Sequence, residues 1–274
     1  MDKIDDMRAY LSGMSTTLRD KCWWIDKIHA EIDTVVDYGC AQGDLAIMID
    51  SIAPNRFSYI GVDNSEEMLA LARHNFGFHH PAPIKTCFFR ELSEAACRCD
   101  PAKTVLVLNS VMHEIFSYLT PAEQKILFTQ FFSVGFRAIA IRDMYIPSFD
   151  SPCAPAILEK LPMIQNSRHA LLWKEFYRAY PYSNVLPVAI TEFLLKYRYV
   201  SNWSRELKEV YLWPWLTTLI LDGYLDAGSY RKTEDESFGI PFIQKKIRED
   251  FGFDWPYMTH RKVLLCKVEG GTNV

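Results

Sequence analysis

The sequence predicts an α/β fold built on a mostly parallel sheet with helices on both faces. Short runs such as TVLVL at residues 104–108 are apolar throughout, which is typical of strands buried on both faces. Helix-period segments lie between consecutive runs, and this order favours parallel strands joined by crossover helices. Ligands of such sheets bind at the carboxyl ends of the strands, near the point where the strand order reverses.

Strand and helix patterns alternate through the first half of the chain. A helix is predicted at residues 44–52, and Asn64 is expected to cap a second helix that has Glu67 at its third position. Thr120 followed by Pro121 predicts another helix start, because a capping residue precedes a first-turn proline. The strands predicted here are residues 34–38, 58–62, 85–90, 104–108 and 137–142.

The alternation stops after the fifth strand. Residues 148–228 have a helical, aromatic pattern divided by prolines, and they predict an α-helical insertion into the sheet domain. Residues 1–147 and 229–274 then form one domain, in which residues 1–30 are an N-terminal helical cap. A helix at residues 241–251 and a final strand at residues 259–268 complete that domain.

Composition and charge exclude several classes of protein. Hydrophobic residues make up 49% of the 274-residue chain, which excludes global disorder. The net charge of −4 gives no overall attraction to nucleic acid. Seven irregularly spaced cysteines predict reduced thiols in a cytoplasmic protein and no metal site. The most apolar run, residues 211–221, contains Pro214 and is about half a membrane span, so no membrane association is expected.

A glycine-containing turn, VVDYGCAQGDLA at residues 35–46, joins the first strand to the first helix of the sheet. Such a turn lets the backbone approach a ligand closely. A dinucleotide loop of the form G-x-G-x-x-G would place its third glycine at Asp44, where a carboxylate would face a pyrophosphate. The loop therefore disfavours a nicotinamide or flavin cofactor.

The pattern D-x-G-x-G-x-G fits instead at Asp37, Gly39, Ala41 and Gly43, with alanine replacing one glycine. In this respect the chain resembles the class I S-adenosylmethionine (SAM)-dependent methyltransferases, over roughly residues 34–145 and the C-terminal strand. The resemblance implies a doubly wound, mostly parallel sheet of seven strands. It also implies SAM as cofactor, S-adenosylhomocysteine (SAH) as product, and an insertion that acts as a substrate lid.

The resemblance also implies the residues of the cofactor site. The glycine loop would lie against the methionine part of SAM, and Asp63, after the second strand, would bind the ribose hydroxyls. Glu91 would meet the adenine, while Asn109 and Ser110 would face the methyl group and the acceptor. The full set expected to bind the cofactor is Asp37, Gly39, Cys40, Ala41, Gly43, Asp63, Asn64, Met68, Glu91, Leu92, Asn109 and Ser110.

Methyl transfer needs alignment and exclusion of water more than it needs protein functional groups. His113 follows the fourth strand and is interpreted either as a general base or as an anchor of the loop between the cofactor and the next helix. Ser117 stands where a zinc-binding H-E-x-x-H motif would need its second histidine, so a zinc protease is excluded. The candidate catalytic residues are His113 and Asn109, and the candidate acceptor contacts are His113, Glu114, Asp143 and Tyr145.

The acceptor is not identified by these patterns. A stripe of aromatic residues on the insertion is interpreted either as its core or as a stacking surface; it comprises Trp173, Phe176, Tyr177 and Tyr180. A small-molecule acceptor enclosed by the insertion is the first hypothesis. An RNA or protein acceptor, and a catalytically inactive cofactor-binding module, remain as alternatives.

Overall fold

The computed structural model describes residues 18–78, 84–146, 154–183, 185–211, 225 and 228–268. Its centre is a seven-stranded sheet of order β3-β2-β1-β4-β5-β7-β6, in which only β7 runs antiparallel to its neighbours. The strands are β1 Thr34–Tyr38, β2 Ser58–Val62, β3 Thr86–Phe89, β4 Thr104–Asn109, β5 Ala138–Met144, β6 Tyr230–Phe238 and β7 His260–Lys267. This confirms the predicted α/β, doubly wound sheet.

The strand order reverses between β1 and β4, which are parallel neighbours although they are not consecutive in the chain. Their carboxyl ends therefore open onto the same edge of the sheet. All six residues of β4 are buried, as expected for a central strand covered on both faces. The glycine loop after β1 and the first residues after β4 lie together at this switch point, where ligands of such sheets bind.

Helices cover the sheet, and several begin at the residues that the sequence predicts. The helices, numbered in chain order, are α1 Leu18–Lys21, α2 Asp44–Ile52, α3 Glu66–Phe78, α4 Leu92–Ala96, α5 Met112–Tyr118, α6 Pro121–Ser133, α7 Ala154–Leu158, α8 Leu161–Gln165, α9 Ala170–Ala179, α10 Leu186–Lys196, α11 Trp203–Glu206 and α12 Pro241–Phe251. At α6, Thr120 and Glu123 form the full reciprocal capping box.

The predicted cap of α3 is wrong by one residue. Ser65, not Asn64, caps this helix, because its hydroxyl accepts a hydrogen bond from the Met68 amide at 3.3 Å. The Asp63 carboxylate in turn accepts one from the Ser65 amide at 2.9 Å. Ser65 is as good a capping residue as Asn64, so the sequence pattern alone could not choose between them.

One strand was not located by the sequence pattern. Strand β6, Tyr230–Phe238, reads YRKTEDESF and is largely exposed, because it lies at the edge of the sheet and pairs only with β7. Charged residues are common on edge strands, where they oppose pairing with other chains. Such a strand lacks the apolar run by which the other strands were recognised.

The described chain between β5 and β6 is helical, as predicted, and it has an aromatic core. Trp173, Phe176 and Tyr180 are buried there, whereas Tyr177 is 40% exposed. The interpretation of the stripe as core therefore holds for three of its four residues. Helix α12 contributes Ile247 to the same cluster, so the insertion packs with the C-terminal part of the sheet domain.

Parts of two predictions fall outside the described residues: most of the N-terminal cap and most of the apolar run at 211–221. Within the described chain, the short helix α1 belongs to the N-terminal cap, and Cys22 and Ile25 beyond it are buried. None of the helices described has both the length and the apolar character needed to cross a lipid bilayer.

Candidate active site

The glycine loop turns sharply after β1. Gly39, Ala41 and Gly43 have φ angles of 79°, 47° and 82°, in the left-handed region that glycine adopts without strain. A Cβ atom on Gly39 would lie 2.9 Å from Cγ2 of Val111, so the loop also needs glycine for its own packing. The Gly39 and Cys40 amides both donate to the Val62 carbonyl, at 2.7 and 3.0 Å, which ties the loop to the end of β2.

Asp63 fixes the other side of the loop. Its Oδ2 atom accepts a hydrogen bond from the Ala41 amide at 2.9 Å, and its Oδ1 atom accepts one from Ser65 at the start of α3. Since an ionised carboxylate has about four lone-pair sites, both oxygens keep capacity for a ligand hydroxyl. Asp63 therefore orders the loop and still has acceptor capacity at the end of β2.

A cavity of about 160 Å³ opens beside this carboxylate. It lies between the ends of β1 and β2 and one face of α5, and its walls are about half apolar and half polar. Its lining residues are Tyr38, Gly39, Val62, Asp63, Asn64, Arg90, Val111, Glu114, Ile115, Tyr118, Leu119 and Leu127. Apolar walls combined with the Asp63 carboxylate suit a nucleoside, whose ring is flat and whose sugar carries hydroxyl donors.

A second cavity, of about 30 Å³, lies on the other side of Gly39. Its lining residues are Leu18, Lys21, Asp37, Gly39, Cys40, Ala41, Gln42, Asp44, Leu45 and Asn109. The Asn109 amide nitrogen donates to the Lys21 carbonyl at 3.2 Å, while its Oδ1 atom is buried without a hydrogen-bond partner. A buried acceptor without a partner costs free energy unless a ligand or water satisfies it.

The small cavity carries opposite charges on two sides. Lys21 and Asp37 are 6% and 3% exposed. Burial raises the pKa of Asp37 to about 6, although the Tyr59 hydroxyl donates to its Oδ2 atom at 2.5 Å and the nearby Lys21 charge opposes the shift. Burial, together with the charge of Arg142, lowers the pKa of Lys21. An ammonium group, the carboxylates of Asp37 and Asp44 and an unpaired acceptor around one cavity complement an amino-acid zwitterion.

His113, at the start of α5, is buried against β5. Its Nδ1 atom lies 2.9 Å from Oδ1 of Asp143, and its backbone amide donates to Oδ2 of the same carboxylate at 3.1 Å. Burial alone would disfavour the charged ring, but the Asp143 charge and hydrogen bond outweigh it and raise the pKa of His113 to about 9. The ring is therefore a cation near neutral pH, when it has no proton-accepting atom.

Three potential metal ligands meet where α5 contacts the segment 205–211 of the insertion. Ligand atoms of His113, Glu114 and Glu209 all lie within 4.8 Å of one another. The Arg205 guanidinium forms ion pairs with both glutamates, through its Nη2 and Nε atoms. The two carboxylates thus already have a cation within the chain.

Comparison of the sequence with family profiles and with curated proteins found no match. Among solved structures, the plantazolicin methyltransferase BamL, in complex with a triazolic analogue and SAH, aligns with a TM-score of 0.50 and 12% identity, covering 97% of this chain and 90% of BamL. The chain has the class I methyltransferase fold.

Two further structures of this fold align less closely. Magnesium protoporphyrin IX methyltransferase from Synechocystis PCC 6803, with bound SAH, gives a TM-score of 0.48 and 12% identity, covering 98% of this chain and 89% of its own. PKMT2 from Rickettsia typhi aligns with a TM-score of 0.49 and 14% identity, covering 88% of this chain and 49% of PKMT2. This chain therefore spans about half the length of PKMT2.

The class I methyltransferase fold brings many of the predicted site residues to the two cavities, but not all. Leu92 is 4% exposed and packs in the sheet core, while Glu91 precedes α4 as its N-cap. Ser110 has a φ of 56° and donates its amide to the Arg142 carbonyl. Of the predicted cofactor residues, these two cavities do not include Gly43, Met68, Glu91, Leu92 and Ser110.

The predicted acceptor residues also separate in this class I fold. Glu114 lines the larger cavity, but His113 and Asp143 are buried behind it as a pair. Tyr145, beyond the end of β5, packs against the Arg261 guanidinium, which lies 5.0 Å from its ring centroid.

Sequence reasoning missed Lys21, Arg205 and Glu209. Lys21 reaches the site from α1, and the other two reach it from the insertion, far along the chain from the glycine loop. No motif marks such positions. The charged residues at 205–209 were the only available signal, and the same pattern is equally typical of a helix face exposed to solvent.

Proposed function

We propose that this protein is a SAM-dependent methyltransferase. The observation that carries the proposal is the pair of cavities that meet at Gly39: one combines apolar walls with the Asp63 carboxylate, and the other is lined by Lys21, Asp37 and the unpaired Oδ1 of Asn109. SAM is a nucleoside joined to an amino acid, so the chemistry of each cavity matches one half of it.

In this proposal each residue has a separate role. Asp63 accepts the ribose hydroxyls with its remaining lone pairs. The Lys21 ammonium binds the carboxylate of the methionine part, while Asp37 and Asn109 accept hydrogen bonds from its ammonium. The smaller cavity, at about 30 Å³, is too small for the amino-acid end, so it has to widen when the cofactor binds.

SAM, when bound, supplies a methyl group on a sulfonium and a neutral thioether leaving group. An acceptor's lone pair would take this methyl group, and the electron pair of the carbon–sulfur bond would stay on sulfur. The protein then has to hold the acceptor in line and exclude water. His113 acts as an anchor in this proposal, since its ring is already protonated and bound to Asp143.

We infer a small-molecule acceptor held under the helical insertion, residues 148–228. Two features support it: the net charge of −4 gives no general attraction to a nucleic acid, and the segment 205–211 of the insertion contacts α5 beside the larger cavity. An RNA or protein acceptor is the alternative. Incubating the protein with methyl-labelled SAM and separate metabolite, RNA and protein fractions of a cell extract distinguishes them by where the label appears.

Calorimetric titration with SAM and SAH tests the cofactor. We expect saturable binding, and a ligand at one hundred times its dissociation constant should raise the free energy of unfolding by about 2.7 kcal/mol. Asp63→Asn should weaken SAH binding by about tenfold or more, since it removes a charge-assisted acceptor.

Asp100→Asn is the matched control. Asp100 also accepts a backbone amide hydrogen bond, from Ala102, but it stands before β4 at the opposite edge of the sheet. This variant should bind SAH as the unmodified protein does. A flat titration of the unmodified protein would refute the cofactor assignment, and equal losses in both aspartate variants would refute the role given to Asp63.

A further inference from the structure

Helix α5 is a wall shared by two parts of the molecule. Val111 at its N-terminal end, together with Ile115, faces the larger cavity, and Glu114 and Tyr118 stand at the cavity's edge. Residues 205–211 of the insertion contact the same helix at Glu114, Ser117 and Tyr118. A displacement of that segment would therefore act directly on a wall of the cavity.

The central contact is made by one guanidinium. Arg205 forms ion pairs with Glu114 of α5 and with Glu209 of its own segment. Glu209 is only 2% exposed, and its Oε1 atom accepts a hydrogen bond from the Tyr118 hydroxyl at 3.2 Å. Arg205 thus bridges two carboxylates that belong to different elements, and a planar guanidinium suits that bridging better than an ammonium does.

Two further contacts fix the segment along α5. The Val210 amide donates to Oγ of Ser117 at 2.8 Å, and that hydroxyl donates to the His113 carbonyl at 2.6 Å. The Tyr211 ring packs edge-on against the His113 ring, with centroids 5.2 Å apart. The segment therefore follows the helix over more than one turn.

The segment is also held firmly within the insertion. The Lys196 ammonium is fully buried and donates to the carbonyls of Glu206 and Glu209. It forms an ion pair with Glu192, whose carboxylate accepts the Tyr211 amide at 2.9 Å. Because its inner side is fixed in this way, the segment presents Arg205 to α5 on a rigid support.

We infer that Arg205 is a positioning residue that holds α5 against the insertion and so sets the shape of the cofactor cavity. The inference rests on the proposed function, since the ligand of that cavity is taken to be SAM. Occupation of the cavity and docking of the insertion are then coupled through α5, and the coupling is reciprocal. An acceptor held under the insertion would accordingly bind more tightly when the cofactor is present.

Arg205→Met tests the inference, because methionine keeps much of the aliphatic length but removes the bridge. We expect SAH to bind about tenfold more weakly, within the usual range of couplings between sites. Arg205→Lys should bind with intermediate affinity, since an ammonium keeps the charge but loses the bidentate geometry. Calorimetry gives these affinities.

Arg168→Met is the matched control. Arg168 also belongs to the insertion and pairs with an acid on another element, Asp250 of α12, and among the residues that the structure describes its hydrogen bonds go to Asp250 and His169 and not to α5. Its affinity for SAH should stay within about twofold of that of the unmodified protein. Equal affinity of Arg205→Met and Arg168→Met for SAH would overturn the inference.

Hydrogen exchange provides a readout that a loss of overall stability would not reproduce. In Arg205→Met without ligand, amides of residues 115–119 should exchange faster than in the unmodified protein, while those of the buried strand β4 should not. Saturating SAH should restore the protection. Unchanged exchange in α5, or an equal rise throughout the molecule, would overturn the inference even if the unmodified protein fails to bind SAH.

Discussion

The Asp143 carboxylate makes two hydrogen-bond contacts with His113, one to the ring Nδ1 atom at 2.9 Å and one to the backbone amide at 3.1 Å. Both side chains are buried, with 7% of His113 and none of Asp143 exposed. This pair joins the start of α5 to the end of β5. It therefore fixes the helix from the side of the sheet, as Arg205 does from the side of the insertion.

His113→Gln should lower the free energy of unfolding at pH 7 by about 3 kcal/mol or more, because it leaves Asp143 buried without a counter-charge. Adding Asp143→Asn should recover part of the loss. Chemical denaturation of both variants gives the two values. If His113→Gln were as stable as the unmodified protein, His113 and Asp143 would not form a charged pair.

The same pair predicts a dependence on alkaline pH. The pKa of His113 is raised from 6.5 to about 9, so its stabilising contribution is complete below pH 6.5 and is lost as the pH rises through 9. The melting temperature of the unmodified protein should fall over that range more steeply than that of His113→Gln. Parallel curves for the two proteins would contradict the assignment.

Lys21→Met should weaken binding of SAH by about tenfold, since it removes a charge-assisted bond to the ligand carboxylate. Binding of 5′-methylthioadenosine, which lacks the amino-acid part, should be unchanged. Lys27→Met, which removes a half-exposed lysine paired with Glu234, is the control and should affect neither ligand. Equal weakening of both ligands by Lys21→Met would place Lys21 outside the amino-acid subsite.

Asp37 predicts an acid dependence of cofactor binding. Its pKa is raised to about 6 by burial, so lowering the pH from 7 to 5 neutralises the carboxylate and removes an acceptor for the ligand ammonium. Affinity for SAH should fall over this range, and Asp37→Asn should bind weakly with little dependence on pH. Calorimetry at several pH values measures both.

The contribution of Asp37 to the stability of the folded protein changes with pH in the opposite direction to its contribution to ligand affinity. Because the folded state holds the Asp37 proton more tightly than the unfolded state, this group's contribution to stability is complete below pH 3.8 and is lost as the pH rises through 6. Without ligand, Asp37→Asn should therefore gain stability relative to the unmodified protein as the pH rises over that interval. A constant difference between the two would contradict the raised pKa.

Gly39→Ala should destabilise the protein by about 2 to 4 kcal/mol. An alanine there would be strained at this left-handed φ, and its Cβ would also clash with the Val111 side chain. Gly252 provides the control, because its φ is 78° and a Cβ there would meet nothing within 4 Å. Gly252→Ala should cost only the strain, about 1 to 2 kcal/mol. Combining Gly39→Ala with Val111→Ala should remove the clash, and urea denaturation compares all of these variants.

Much of the fold could be predicted because it depends on local patterns. Strand β4 was recognisable because each of its residues is apolar or small enough for burial on both faces, and α6 because Thr120, Pro121 and Glu123 occupy fixed positions of a helix start. The edge strand β6 gave no such pattern, since its exposed residues are under no requirement to be apolar.

Some features of the candidate site could likewise be predicted from the sequence, and others could not. Gly39 and Asp63 could be predicted because a loop conformation and a strand end are fixed by short stretches of sequence. The partners of His113 could not, because Asp143 and Glu209 are 30 and 96 positions away along the chain. Its protonation at neutral pH depends on those partners, so the sequence left both the base and the anchor interpretations open.

The sequence by itself determined the strand–loop–helix order, the glycine loop and the acid after β2, because these follow from backbone sterics and periodic burial. Only the tertiary structure decided which charged groups come together. Lys21 and Asp37 line the same cavity, and Arg205 forms an ion pair with Glu114 beside the other cavity. The physical reason is that electrostatic and hydrogen-bond energies depend on distance in space, and folding brings together residues that the chain keeps far apart.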